Sequence, residues 1–390
     1  MSAPLWGRAP ELPRLERALA VDVCVVGLGG SGLSALARLA GAPGLRVAGI
    51  DAVGVGAGAA GRNGGFLLAG PAAFHHRLRA QVGAGPAKEL YETSVEARDR
   101  IAAAEPTARM TGSLRTPGSD EERADVRDHF EALADDDLPG ELLADGSLLV
   151  PGDGTFDPLA RCLRLAHEVA DRVRLLGDAR VASLSPERAV TDDGAEIRAE
   201  VFLVCVDGGV ETLLPALVGR ARTVRLQMLA TAPALDVSVD HAVYHRFGYD
   251  YWQQRPDGRI ALGGGRDVGG EDEEGGAPGT SEAVQAYLER LLRDRVGTRA
   301  PVERRWSGRV ALSADDLPIV EELEPGVFVA GAYSGTGNVL GALAGEALAE
   351  LARGRARPSL VQWLDRARRE AVAAVDADGP GAPEGGGSGQ

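Results

Sequence analysis

The chain has 390 residues, two or three domains' worth, with 44% hydrophobic and 25% charged residues, an ordinary globular balance. A net charge of −15, with Lys88 as the sole lysine, repels phosphate backbones and argues against a nucleic-acid partner. Glycine, at 53 residues, is about twice as frequent as usual; its clustering in short loops excludes collagen and suggests backbone brought close to a ligand.

Cys24, Cys162 and Cys205 lie in apolar stretches without metal-ligand spacing and read as core residues of a reducing compartment. Pro4, Pro10, Glu11, Pro13 and Glu16 leave no apolar core for a signal peptide. The longest apolar run, Val201–Val206, is far shorter than the ~20 residues that span a bilayer. The expectation is a cytoplasmic protein with no metal site and no membrane segment.

Residues 1–19 read as an N-terminal arm with Trp6 tacked onto the body. Val21–Val26 is β-branched and continuously apolar apart from Asp22, the pattern of a strand buried on both faces. Glycines follow, then a helix over 31–40 closed by Gly41–Gly44, and a second strand over 45–51 completes a βαβ unit. Helices are predicted over 86–101, 119–133 and from Pro158, at the first turn, to Val173. Residues 173–184 and 189–206 alternate as strands. A strand-rich block covers 222–231, 242–254 and 259–263. An exposed, mobile loop over 267–280 and a helix over 281–295 come next. Val327–Ala330 is another buried strand, and a helix runs from near Asn338 to Leu351. The Gly/Pro-rich tail 376–390 is expected to be disordered.

Gly27-Leu-Gly29-Gly30-Ser31-Gly32 fits G-x-G-x-x-G directly after a strand and at the start of a helix. That arrangement sets a diphosphate against the helix N-terminus. Asp51, at the end of the next strand, is placed to accept ribose hydroxyls. A second loop, Gly54 to Gly65, carries Arg62-Asn63-Gly64-Gly65 and is too glycine-rich for a plain connector. An NAD enzyme would pass here into its next helix.

Together these loops resemble the FAD-dependent amine and amino-acid oxidase (D-amino-acid oxidase-like) superfamily. The motifs are closest to glycine oxidase, sarcosine oxidase and γ-glutamylputrescine oxidase, with Ala60 where a serine is usual. The likeness continues in Phe156-Asp-Pro158, Asp257–Gly264, Trp306-Ser-Gly308 with Asp315–Pro318, and Gly331–Gly337, and spans about residues 20–355. It implies an α/β fold in which a Rossmann-like FAD-binding domain (GR2-type) is interleaved with an α+β substrate domain built on a mostly antiparallel sheet. The expected FAD-binding domain is discontinuous, over 20–75, 150–220 and 305–370. The substrate domain then covers 76–149 and 221–304.

The resemblance also implies which residues hold FAD: Gly27, Gly29, Gly30, Ser31, Gly32, Asp51, Arg62, Asn63, Gly64, Gly65, Val181, Gly308, Gly331, Ser334, Gly335, Thr336, Gly337 and Asn338. Residues 307–314 contain no cysteine, where sarcosine oxidase bonds its flavin, so FAD should be noncovalent. A helix beginning near Asn338 would direct its N–H groups toward the cofactor.

On the substrate side, Tyr244, Phe247, Tyr249, Tyr251 and Trp252 crowd into one segment. Strand alternation sets Tyr249 and Tyr251 on one face as the substrate wall, with His245 a further candidate. His75 and His76 read first as packed histidines. Arg309 neighbours the carboxylate-clamp register of glycine oxidase, which falls on Val310. That offset favours an amine or N-substituted substrate over a simple amino acid. The implied reaction moves hydride from the carbon of a C–N bond to flavin N5, and the imine then hydrolyses. Electrons pass to molecular oxygen or another acceptor. The alternative is a flavin dehydrogenase or tailoring enzyme on an unusual amine with a non-oxygen acceptor. Lys88 reads as a solvated residue of a charged helix; because other members of the family lack the oxygen-activating lysine of sarcosine oxidase too, it does not decide between the two.

Overall fold

The computed structural model describes residues 3–377. Two eight-stranded sheets organise the chain. In the first, the order is Ile319–Glu324, Val327–Gly331, Glu196–Val204, Leu19–Val26, Val47–Ile50 and Arg174–Leu176. Leu19–Val26 runs parallel to both its neighbours, with Val23 opposite Val201 and Val47. Parallel strands are covered on both faces, which explains the nearly unbroken apolar run. Val23 and Val25 pack with the helices Gly30–Leu39, Pro158–Val169 and Leu340–Ala352, while Cys24 and Val26 face the opposite cluster. Pro158–Val169 starts as expected: Pro158 occupies the first turn and the Asp157 carboxylate accepts the Leu159 and Ala160 N–H groups.

The second sheet runs Val302–Ser313, Ala221–Pro233, Arg259–Gly264, Asp250–Gln254, Ala242–His245, Ser113–Thr116, Leu148–Val150 and Glu141–Leu142. It is antiparallel except where Ala242–His245 runs alongside Ser113–Thr116. Helix Glu282–Leu291 backs it through Val284 and Leu288 against Trp252 and Leu262. Val302–Ser313 pairs along nearly its whole length with Ala221–Pro233, so it extends the second sheet across the boundary expected at residue 305. No described helix is long and apolar enough to cross a membrane.

The loop expected to be exposed over 267–280 differs from that reading. It contains the helical turns Arg266–Gly269 and Gly270–Glu273, and Glu273 is 0% exposed. Its carboxylate accepts Arg225 Nε and Nη2 at 2.7 Å each and Gln227 Nε2 at 2.7 Å. One buried carboxylate thus anchors a segment whose composition suggests only solvent. The expected disordered tail lies outside the described residues except for 376 and 377, which end the helix Ser359–Ala377.

Candidate cofactor and active site

Residues from both sheets wall a cavity of about 1350 Å³. Strand Leu19–Val26 delivers the first glycine loop to it. Gly27 has φ +104°, and a Cβ on Gly32 would strike the Gly27 carbonyl, so both positions demand glycine. The helix Gly30–Leu39 therefore begins tight against its strand, with Gly29, Gly30 and Ser31 on the cavity wall. Asp51 lines it too. Its Oδ2 accepts the Leu28 N–H at 2.9 Å, and its Oδ1 accepts those of Val53 and Gly54 at 2.8 and 2.9 Å.

The second glycine loop and the C-terminal loop meet here. Asn63 Nδ2 donates to Asn338 Oδ1, and Asn338 Nδ2 donates to Asn63 Oδ1, both at 3.1 Å. Asn338 also holds the Phe66 carbonyl at 2.8 Å. Arg62 Nε donates to the Ser307 carbonyl and Trp306 Nε1 to the Arg62 carbonyl, each at 2.8 Å. Trp6 of the arm donates to the Asn63 carbonyl at 2.8 Å, which locates the expected contact between arm and body. Ala332 and Ser334 both have positive φ, 54° and 50°, strained values for residues with a Cβ. Hydrogen bonds from the Ser334 N–H to the Ala311 carbonyl and from the Ser313 N–H to Ser334 Oγ hold that turn open toward the cavity.

Among the residues expected at the cofactor, Gly27, Gly29, Gly30, Ser31, Asp51, Arg62, Asn63, Gly64, Val181, Gly308 and Ser334–Asn338 line this cavity. Gly32, Gly65 and Gly331 stand behind the wall instead. A Cβ there would meet the carbonyls of Gly27, Phe156 and Val206 respectively. They are glycines for close packing rather than for ligand contact.

The substrate-side expectations divide. Tyr251 is half-buried in the wall, and a Cβ on Gly64 would come within 3.1 Å of its ring. Tyr249 lines the cavity but is 38% exposed, because the turn 246–249 precedes the strand and breaks the assumed alternation. His245 does not reach the cavity. Its Nδ1 lies 3.0 Å from Thr116 Oγ1 and its ring packs edge-on to Trp252, on the opposite strand face from Tyr244. Arg309 also lines the cavity; it is exposed, opposite in facing to the buried Val310, and its guanidinium lies beside Gly209.

Four further residues join the site. Tyr244 packs edge-on to Phe66 at 5.0 Å and lies 6.2 Å from Tyr251. Arg115, on the strand Ser113–Thr116, faces the cavity beside Tyr244. Arg161, 5% exposed, brings Nη1 to within 3.2 Å of a Cβ built on Gly30, and its Nε has no hydrogen-bond partner among the described residues. Asp207 accepts the Ala311 N–H at 3.1 Å, and burial raises its pKa to about 6. Burial likewise pushes the Tyr244 phenol up to about 12 and the Tyr251 phenol higher still. The Cys162 and Cys205 thiols on the wall rise to about 11 and about 12 for the same reason. These phenols and thiols stay protonated near neutrality.

The sequence from residue 22 to 351 matches the family model of FAD-dependent oxidoreductases designated DAO. The chain is 26% identical over 379 residues to the γ-glutamylputrescine oxidoreductase of Escherichia coli K12, covering 88% of this chain and 86% of that protein. In structure it is similar to glycine oxidase from Geobacillus kaustophilus, with TM-score 0.67, 20% identity, and coverage of 87% and 96% of the two chains. It is also similar to L-proline dehydrogenase from P. horikoshii, with TM-score 0.68, 18% identity, and coverage of 92% and 99%. With its glycine loops, paired asparagines and DAO match in hand, the chain belongs to the DAO family of FAD-dependent oxidoreductases.

Proposed function

We propose that the protein oxidises the C–N bond of an amine or amino acid, giving an imine that hydrolyses to a carbonyl compound. The observation that carries this reading is the meeting of Gly64 with the Tyr251 ring, where the glycine-loop wall gives way to an aromatic one. FAD, when bound, supplies the two-electron acceptor for the hydrogen on the carbon beside the nitrogen.

The residues present fit FAD. The N–H groups of Gly30 and Ser31 at a helix N-terminus, with the Arg161 guanidinium nearby, suit a diphosphate. Asp51 suits ribose hydroxyls, and the loop Ser334–Asn338 ahead of the helix Leu340–Ala352 suits the anionic end of the ring system. Protonated thiols at Cys162 and Cys205 support noncovalent attachment, because thiolates would be required for bonding.

This chain's own groups exclude water and orient the amine. Tyr251, Tyr244 and Phe66 form an apolar wall. Neutral phenols do not take up the ammonium proton, so the substrate binds as the free amine or loses its proton to solvent on entry. A second reading is a dehydrogenase using an acceptor other than oxygen. The sole lysine, Lys88, lies 3.9 Å from Glu92 along its own helix and is not among the residues of the cavity wall, which leaves both readings open.

The test is anaerobic addition of amines and amino acids to the yellow holoprotein. Bleaching of the flavin supports the reading; an unreactive flavin across the panel removes it. Hydrogen peroxide formed in air then separates oxidase from dehydrogenase.

A further inference from the structure

Arg115 stands on the strand Ser113–Thr116 with its guanidinium on the cavity wall. Its central carbon lies 5.2 Å from the Phe74 ring centroid and 5.6 Å from that of Tyr244. Aromatic faces attract and orient a guanidinium, yet they leave its fork of N–H donors unfilled. Its Nε is buried and has no hydrogen-bond partner among the described residues.

The carboxylates around it are engaged elsewhere. Asp153, whose pKa responds to the Arg115 charge, accepts Ser113 Oγ at 2.7 Å, the Ala69 N–H at 3.0 Å and Arg98 Nη1 at 3.3 Å. Asp125, on the same wall, pairs through Oδ1 with Arg77 Nη2 at 2.8 Å and His76 Nε2 at 3.1 Å, while its Oδ2 has no hydrogen-bond partner among the described residues. Glu121 also lines the cavity but is exposed. A partly desolvated fork with open donors is completed by an anion that enters the cavity.

Resting on the reading of the cavity as an amine-oxidation site, we propose that Arg115 anchors a substrate carboxylate carried on a spacer from the reacting nitrogen. The order along the wall sets the spacing. Gly64 abuts Tyr251, the Tyr251 ring is 6.2 Å from Tyr244, and Tyr244 is 5.6 Å from Arg115. The guanidinium packs on Tyr244 and Phe74, and Tyr244 in turn packs at 5.0 Å on Phe66, the residue that follows the loop. On this proposal the carbon that loses hydrogen sits at the loop beside Tyr251, so its own substituents face Tyr251 rather than Arg115. An acid at the far end of a methylene chain reaches it, with Tyr251, Phe66 and Tyr244 covering the methylenes. The substrate class is an amine with a remote acid, such as an ω-amino acid. The same positive charge favours the neutral form of the bound amine.

The test titrates the holoenzyme with hexanoate and with hexanamide, unreactive probes of equal length, while the visible flavin spectrum is followed. Hexanoate should bind at least about tenfold more tightly, about 1.4 kcal/mol. Arg115→Gln should abolish that preference at unchanged FAD content, and Arg115→Lys should restore part of it. Equal binding of the two probes by the unaltered holoenzyme, or a preference that survives in Arg115→Gln, overturns the assignment. A parallel arm compares anaerobic bleaching by 6-aminohexanoate and hexylamine. Failure of every amine to bleach ends the amine-oxidation reading and leaves Arg115 to be judged by the probes. Bleaching with no advantage for 6-aminohexanoate leaves that reading intact and removes Arg115 as the anchor.

Discussion

Asn63 and Asn338, 275 positions apart in the chain, exchange side-chain amide hydrogen bonds in both directions at 3.1 Å. This pair joins the glycine loop that follows the second strand to the loop that precedes the helix Leu340–Ala352. The first loop holds one 3-10 turn, Ala59–Gly61, whose Ala59 and Ala60 carbonyls also accept from Asn63 Nδ2, so the paired amides tie that turn to the second loop. Removing either partner leaves the other's donors and acceptors partly unfilled, a cost of about 1–3 kcal/mol. Asn63→Ala and Asn338→Ala should each weaken FAD retention. The double variant should lose less than the sum of the two, as contacting residues do. Cofactor dissociation followed by flavin fluorescence checks this; strictly additive losses would contradict the coupling.

Arg161 is almost fully buried beside the N-terminus of Gly30–Leu39; its Nε makes no hydrogen bond among the described residues and lies 3.9 Å from the Glu105 carboxylate. Its charge complements a diphosphate. Arg161→Leu should raise the Kd for FAD by about tenfold or more, as loss of a charge-assisted hydrogen bond does. Reconstitution of apoprotein at several salt concentrations measures the effect. Unaltered affinity would mean the arginine serves only the core.

Tyr251 is a protonated wall residue in this account. Tyr251→Phe should keep the rate of anaerobic flavin reduction within about threefold and leave the shape of its pH profile unchanged, since no base is removed. Tyr251→Ala should slow reduction much more by opening the wall to water. A lost alkaline limb in Tyr251→Phe would show that the phenol moves a proton.

Glu273 and Arg225 form a pair that is buried on both sides, 1% and 9% exposed by side chain. Glu273→Ala strands the Arg225 charge and should cost about 3–5 kcal/mol of stability. Glu274→Ala, which removes ion pairs of a partly exposed carboxylate with Arg222 and Arg266, should cost no more than about 1 kcal/mol. Urea unfolding of the two variants makes the comparison. Equal midpoints would return residues 267–280 to the status of a solvent loop.

Asp207 gives a pH dependence with a defined sign. Burial raises its carboxyl from 3.8 to about 6 in the folded apoprotein. Between those values the unfolded chain has released the proton while the folded one still holds it. This group's contribution is therefore greatest below about pH 4 and is lost as pH rises through about 6. Asp207→Asn should flatten the fall in apoprotein stability across that window. Parallel melting curves for both proteins from pH 4 to 7 would refute the assignment.

The first glycine loop and the C-terminal loop, the strand entering each and the helix leaving each were legible because their signals are local. A buried parallel strand is an unbroken apolar run, and a tight turn demands glycine at Gly27. Legibility failed where placement depends on pairing partners. Ser113–Thr116 contains only Leu114 as an apolar residue, so neither the strand nor Arg115 upon it could be read from periodicity. Tyr249 appeared to share a face with Tyr251 until the turn at 246–249, with positive φ at Arg246, Phe247 and Gly248, broke the alternation. Arg161 lies within an amphipathic helix, where the sequence does not say that one charged side chain turns inward. Glu273 was hidden by its acidic neighbours, because composition cannot tell which carboxylate will find a buried arginine.

The strands Leu19–Val26, Glu196–Val204 and Val327–Gly331 are neighbours in one sheet, and this dictates an order of events during synthesis. While residues beyond 326 are still inside the ribosome, Phe202, Leu203 and Val204 have no partner strand along one edge. A chain stalled there carries an open apolar edge prone to pairing with other chains. Closure of the sheet and completion of the cofactor cavity therefore wait until Val327–Gly331 and the loop Ser334–Asn338 have left the ribosome, and only from then on does flavin supply matter.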